Sequence, residues 1–206
     1  MVLIEKGGAD PAERHALAGM FRARKQVFVD LLEWDVPVLG GEFELDEFDT
    51  EHAIYILVEG DDGRHLASAR LLPTERPHIL DSLFPTLVAG EVPRGPKIFE
   101  ITRFCLDPNQ PARERRLARN RLVSGLVNFA LERDVRTYTG VAELGWLQQV
   151  LAFGWDCRPL GPPQRLACGT LGALAIEITP GTPALLARNA IWTSGENAVP
   201  TLAEAA

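Results

Sequence analysis

The chain switches between two hydrophobic periods. Leu17, Met20, Phe21, Val27, Phe28 and Leu31 recur at helical spacing and form one stripe at about 100° per residue. Asp10-Pro11-Ala12-Glu13 precedes them with a capping acid, a proline at the first helical position and a glutamate three residues after the cap. That signature predicts a helix from there to about Leu32, with Arg24 in the middle of the apolar stripe. Residues 33 to 50 lose the period and gather acids, Trp34, Pro37 and two glycines, which predicts a long ordered loop. Two strands are then expected, His52 to Glu59 and His65 to Leu72, joined by the tight-turn sequence Asp61-Asp62-Gly63. A proline-rich crossing with a short helix near Ile79 to Phe84 leads into a strand over Lys97 to Leu106. Beyond it the pattern predicts a long helix from Arg113 to Arg133, a strand from Arg136 to Ala142 and a helix from Glu143 to Phe153 stopped by Gly154. The last strands are expected near Trp155 to Leu160 and Leu171 to Thr179. This order gives a mixed α/β fold, one domain over residues 1–193 with a central sheet flanked by helices and a loosely ordered tail over 194–206.

Composition narrows the class. A chain of 206 residues with 46% hydrophobic and 24% charged residues can bury a full core without staples. Its three cysteines fit neither a disulfide framework nor paired zinc spacing, and read as core thiols of a reducing compartment. The start Met-Val-Leu-Ile-Glu-Lys meets an acid too early for a signal peptide, and no apolar run is long enough for a membrane span, so a cytoplasmic location is expected. A formal net charge of -7 argues against nucleic acid as a partner. The charge is uneven, however: Arg113, Arg115, Arg116, Arg119 and Arg121 face only Glu114, a patch that is either a solvated helix face or a dock for an acidic partner.

Several chemistries drop out. There is no Gly-x-Gly-x-x-Gly after a strand, no phosphate loop, no Gly-x-Ser-x-Gly elbow, and the four histidines show no metal-ligand pairing. Carboxylates and arginines among apolar neighbours remain. Phe99-Glu100-Ile101-Thr102-Arg103-Phe104 places an acid and an arginine three apart in a strand built to be buried, where neither is stable without a partner or a purpose. Asp46 and Asp49 flank Phe48, and Arg70 sits among apolar residues of the second hairpin strand. With Arg24 these make one expected mixed-charge network, read either as a buried cluster that fixes the loop to the sheet or as a slot for a substrate carrying both an ammonium and a carboxylate. Strict alternation would put Glu100 and Arg103 on opposite faces, so a bulge is predicted between them.

At these positions the sequence resembles a known family. Arg24-x3-Phe28-x5-Trp34, Glu44-x-Asp46-x-Phe48-Asp49, Arg70-Leu71-Leu72-Pro73-Thr74, Phe84 and Glu100-x2-Arg103-Phe104 look like the ordered signature of the acyl-homoserine-lactone synthases of bacterial quorum sensing. The resemblance spans about residues 20 to 106, with a weaker echo at Gly154-Trp155. It implies the fold of the GNAT N-acyltransferases, whose mixed sheet splays into a V around the pantetheine arm of an acyl donor. It also implies a reaction in which the amine of S-adenosylmethionine, a substrate and not a cofactor, attacks an acyl thioester and the carboxylate then closes a lactone by displacing methylthioadenosine. No other cofactor and no metal are implied. Under that resemblance Glu100 is the base or relay anchor, while Asp46 and Asp49 hold the cationic end of the substrate. Arg24, Arg70 and Arg103 orient the carboxylates. Phe28, Trp34 and Phe104 offer aromatic faces, and Phe84 and Thr102 belong to the substrate site. Gly140 stands where members often carry a hydroxyl associated with 3-oxo acyl chains. A coenzyme A-type glycine turn is not apparent before the helix at Arg113, which tilts the donor toward acyl carrier protein over acyl-coenzyme A. The alternatives are an N-acyltransferase for another amine and a catalytically silent binding module on the same fold.

Overall fold

The structure, a computed structural model, describes residues 1–8 and 14–193. The Asp10-Pro11-Ala12-Glu13 capping box and the tail over 194–206 lie outside the described residues. Two compact units draw on interleaved segments: Met1–Leu71 with Arg103–Gly125, and Leu72–Thr102 with Leu126–Thr193.

The first unit opens with β1 (Val2–Lys6), a strand that the short apolar run before Glu5 does not announce. α1 (His15–Arg24) follows and passes without a break into a π-helix over Lys25–Leu31. The expected helix therefore has its predicted end, but its second half is wider than α-helical, and an i→i+5 turn advances less than 100° per residue. The stripe accordingly drifts after Arg24: Leu17, Met20, Phe21, Arg24 and Phe28 are buried, whereas Leu31 is 61% exposed. Within the 33–50 loop, β2 (Val38–Leu39) and β3 (Phe43–Glu44) pair antiparallel around Gly40 and Gly41, both at positive φ. β4 (Ile54–Glu59) and β5 (His65–Pro73) form the expected hairpin, with β1 on the far side of β4. β4 is buried on both faces: Tyr55 meets Phe21 of α1 edge-on, while Ile56 faces α3 (Ala112–Glu132). Gly125 lets α3 lie close, since a Cβ there would stand 3.0 Å from Val2 and 3.2 Å from Ile56.

In the second unit α2 (Ile79–Ser82) and a 3-10 turn (Pro85–Leu87) occupy the place of the single short helix expected. β6 (Ile98–Leu106) enters here and pairs in parallel with β7 (Thr137–Glu143), joined through α3, which is the connection that parallel strands require. After α4 (Leu144–Leu151), β8 (Asp156–Pro159) and β9 (Gln164–Leu166) both pair with β10 (Gly169–Glu177), which itself lies antiparallel to β7. α5 (Thr182–Arg188) closes the described chain and was not expected. The two faces of β6 and β7 are distinct. Phe99 packs edge-on against Phe129 of α3 and Tyr138 Oη donates to Leu126 O at 2.9 Å, so the odd residues of β6 ahead of Arg103 and the even residues of β7 face α3. Glu100 and its register partner Thr139 face the other way, toward α2. On that same side Leu80, Leu87, Leu171 and Ala173 form an apolar cluster with Phe84 and Val141 against it. Strands on a mixed sheet with flanking helices match the expected fold class.

β6 breaks its own alternation. Glu100 and Thr102 are buried, then Cys105, so the inward set changes parity, and Arg103 between them has φ +49°. A left-handed residue inside a strand is the backbone signature of a bulge, which is the irregularity the Glu100/Arg103 spacing demanded.

Candidate active site

The loop before β4 arranges its own acids. β2–β3 pairing turns Glu44 inward to 0% exposure, Asp46 Oδ1 accepts from Phe48 N at 2.9 Å, and Asp49 Oδ2 accepts from Asp46 N at 2.8 Å. Three arginines from α1, β5 and β6 meet these three carboxylates. Arg24 donates through both terminal nitrogens to Asp49 at 2.8 and 2.9 Å and through Nε to Glu44 at 2.5 Å. Arg70 forks onto Asp46 at 2.5 and 3.0 Å and touches Asp49 at 2.8 Å. Arg103 reaches Asp46 at 2.7 Å and Glu44 at 3.0 Å through Nη2. The contacts close on themselves: Arg24, Asp49, Arg70, Asp46, Arg103, Glu44 and again Arg24, a ring of alternating sign and zero formal charge.

Such a ring answers the desolvation problem that made these residues conspicuous in the sequence. Burial alone would raise the Asp49 carboxyl, but the Arg24 and Arg70 guanidiniums outweigh it and hold Asp49 well below the usual carboxylate range. Burial works against the Arg24 cation too, and Asp49 and Glu44 more than compensate. Burial and the Asp49 charge push the Tyr55 phenol far up, so it stays a neutral donor to Asp49 Oδ1 at 2.9 Å. Each guanidinium also lies over a ring: Arg24 over Phe21 at 5.0 Å, Arg70 over Phe48 at 5.9 Å and Arg103 over Phe28 at 5.5 Å. Phe28 in turn stacks on the half-buried Trp34 at 4.9 Å, and Trp34 N donates to Phe28 O at 2.8 Å.

The first unit thus gathers Arg24, Phe28, Trp34, Asp46, Asp49, Arg70 and Arg103, with Phe104 half-buried next along β6. The ring's third acid is Glu44, which belongs to the motif but carries no hydrophobic-period signal of its own. Tyr55 is the other member that sequence reasoning misses. The second unit holds Phe84, Glu100, Thr102 and Gly140. Glu100 is wholly buried and its Oε1 accepts from Leu80 N at 3.0 Å. Gly140 lies on the α3 face, where a Cβ would stand 3.2 Å from Ile101 O. On α3, Arg113, Arg115, Arg116 and Arg121 are exposed. Arg119 is half-buried and donates to Asn120 Oδ1 at 2.9 Å, and burial and the neighbouring Arg116 lower its pKa. Among the described residues no group of three or more His, Cys, Asp or Glu could hold a metal ion, and no helix is long and apolar enough to cross a membrane.

Comparison with known proteins identifies the family. The sequence profile of the family described as autoinducer synthase matches residues 10–178. An acyl-homoserine-lactone synthase of Ralstonia nicotianae is 30% identical over 176 residues, covering 82% of this chain and 85% of that protein. The solved structure of MesI, a CoA-dependent acyl-homoserine lactone synthase, superposes with a TM-score of 0.79 at 30% identity, over 95% of this chain and 97% of that one. BjaI, a CoA-dependent acyl-homoserine lactone synthase solved with SAM and isopentyl-CoA, gives a TM-score of 0.79 at 25% identity, over 94% and 90% of the two chains. The chain belongs to the autoinducer synthase family, the acyl-homoserine-lactone synthases, which are acyltransferases.

Proposed function

We propose that the chain transfers an acyl group from acyl carrier protein to the α-amine of S-adenosylmethionine, closes the homoserine lactone and releases methylthioadenosine. The observation that carries this reading is the closed, neutral ring of Glu44, Asp46, Asp49, Arg24, Arg70 and Arg103, which backs the Phe28/Trp34 stack. A substrate with a sulfonium, an adenine and an amino-acid head needs aromatic faces and nearby carboxylates but no net charge to repel either of its own signs. Phe28, Trp34 and Phe104 receive the adenosine and the cationic sulfur. Asp46 and Asp49 supply short-range negative field, and the arginines, engaged with these acids, position them.

The chemistry has two stages. The substrate ammonium, an α-amino group that ordinarily titrates near pH 8 (roughly), gives one proton to Glu100 or to a water it holds. The amine nitrogen then bonds to the thioester carbon and the C–S bond breaks, leaving the carrier thiol and an amide. In the second stage a carboxylate oxygen attacks the substrate's γ-carbon, the C–S⁺ bond breaks, and methylthioadenosine departs with the sulfur electron pair. S-adenosylmethionine is consumed as substrate, so no cofactor is required, and the reaction belongs to the cytoplasm where both substrates are made.

The exposed arginines Arg113, Arg115, Arg116 and Arg121 suit an acidic carrier protein, which they would attract by charge. A second donor, acyl-coenzyme A, is favoured by the likeness to MesI and BjaI, both CoA-dependent. Release of methylthioadenosine from S-adenosylmethionine, measured with acyl carrier protein and acyl-coenzyme A thioesters of the same chain, tests the whole reading. Donor-dependent release with lactone in the extract supports it, and the better donor is assigned by kcat/KM. No release with either donor leaves a silent binding module.

A further inference from the structure

Acyl transfer to an ammonium has to dispose of two protons, one before attack and one after the tetrahedral adduct forms, and Glu100 accounts for the first. The second unit contains another buried acceptor. His78 is 0% exposed and its Nδ1 lies 2.9 Å from Arg76 O. A carbonyl can only accept, so Nδ1 carries the hydrogen and Nε2 is left with its lone pair. That lone pair is buried with no hydrogen-bond partner among the described residues. Two residues on, Leu80 N holds Glu100 Oε1 at 3.0 Å, so one short segment fixes both the imidazole and the carboxylate. The Thr139 hydroxyl, buried and likewise without a hydrogen-bond partner among the described residues, faces the same side as Glu100 through the β6–β7 register. A buried ring nitrogen left unsatisfied costs about 1–3 kcal/mol, so the His78 Nε2 lone pair calls for a donor. A primary amine, rich in hydrogens, is the group this set complements.

Resting on the reading above, we propose that His78 Nε2 is the second proton acceptor of the acyl transfer: it takes the proton from the nitrogen of the adduct as the N–C bond forms and returns it to the thiolate sulfur as the C–S bond breaks. The Thr139 hydroxyl, on the same side as Glu100, can both donate and accept. The charged groups around His78 are Asp81, whose Oδ2 is 3.9 Å from Nδ1, and Arg94, which pairs with Asp81 at 3.5 Å, while Glu100 of β6 is held by Leu80 N two residues on. The 3-10 turn against α2 has no ionisable side chain, and β7 offers only Tyr138, on the α3 face, and Glu143 at its exposed end. Burial lowers the imidazole pKa, with Arg94 in the same direction and the Arg76 carbonyl and Asp81 opposing, so the ring is neutral and able to accept at pH 7.

The test uses the full chain and two variants. In His78→Asn the amide can replace Nδ1 as donor to Arg76 O but nothing replaces Nε2; His78→Gln carries an amide that does not titrate. Both are expected to lower kcat by about 10- to 100-fold, to leave KM for S-adenosylmethionine within about twofold, and to erase the acid limb that His78 should give to the kcat profile of the wild type. Retention of wild-type kcat and of that limb in either variant overturns the proposal. A measurement on the unmutated protein covers the case of variants that do not fold. The imidazole ¹⁵N resonances should shift at Nε2 on adding S-adenosylhomocysteine, which bears the amine, and not on adding methylthioadenosine, which lacks it. An equal response to both, or none, also overturns it. Failure of the parent reading is separate, because it appears as no methylthioadenosine release by the wild type.

Discussion

Arg24→Ala opens the charge ring at a position where every lost contact can be named. The guanidinium is 1% exposed and donates one bond to Glu44 at 2.5 Å and two to Asp49 at 2.8 and 2.9 Å. Its loss changes the ring from neutral to one net negative charge. Both acids keep a partner, since Arg103 still holds Glu44 and Arg70 and Tyr55 still hold Asp49. The expected cost is therefore the lower end of the range for breaking a buried pair, about 3 kcal/mol, or roughly 6–12 °C in Tm for a chain of this size. Glu44→Gln in the Arg24→Ala background restores neutrality, so the double variant should melt no lower than Arg24→Ala alone, although Glu44→Gln costs stability in the wild type. Asp49 adds a pH signature. Its folded pKa is depressed below the unfolded value, so its contribution is present above the unfolded pKa and is lost as pH falls through the folded one. Without Arg24 the push of burial is less opposed, so the folded pKa lies nearer the unfolded one, and the fall in Tm that Asp49 causes on acidification should be smaller and complete at higher pH. Thermal melts of the four proteins of the cycle from about pH 3 to 7 decide the matter. A melting temperature of Arg24→Ala within about 2 °C of wild type, with Glu44→Gln equally costly in both backgrounds, would refute the ring.

Glu100→Gln should lower turnover by about 10² or more with an unchanged melt, as expected for losing a proton acceptor; wild-type rates would remove Glu100 from the mechanism. Arg113→Glu with Arg116→Glu, both fully on the surface, should raise KM for an acyl carrier protein donor far more than KM for S-adenosylmethionine, and the difference should shrink as salt cuts the screening length to roughly 3 Å at 1 M. Equal kinetics at low salt would return these arginines to a solvated helix face. Gly154→Ala should destabilise by about 2 kcal/mol or more, because φ there is +97° and a Cβ would stand 2.0 Å from Asn189 Nδ2; an unchanged denaturant midpoint would show that the turn relaxes freely.

Much of the frame is legible because period and punctuation agree. The hairpin around Gly63, β6, α3 and β7 all lie within a few residues of their expected bounds, where strong apolar runs meet clear breakers. β1 and α5 are not legible, since a five-residue edge strand and a seven-residue helix carry too little pattern to register. The π-helix is invisible for another reason: Val27, Phe28 and Leu31 keep the spacing of an α-helical stripe, and nothing in the sequence marks the change of pitch. Arg24, Arg70, Arg103, Asp46 and Asp49 stand out as charges among apolar neighbours, the anomaly that burial makes costly. Glu44 and His78 do not. Glu44 sits in a loop full of acids, and what makes it special is the β2–β3 pairing that turns it inward. His78 is one of four unremarkable histidines until the Arg76 carbonyl fixes its tautomer.

The left-handed residue at Arg103 bears on how this strand tolerates change in length. Glu100 and Arg103 are three apart, and only the extra residue lets the inward set pass from Thr102 to Cys105. Deleting one residue there would restore plain alternation and turn Phe104, Cys105 and Leu106 over, exchanging a fully buried thiol for a half-buried ring. Inserting one would do the same from the other side. Substitutions along β6 can be absorbed one contact at a time, whereas a change of a single codon in its length reverses every side chain beyond it. The spacing of Glu100 and Arg103 is thus as much a part of this protein's specification as the two residues themselves.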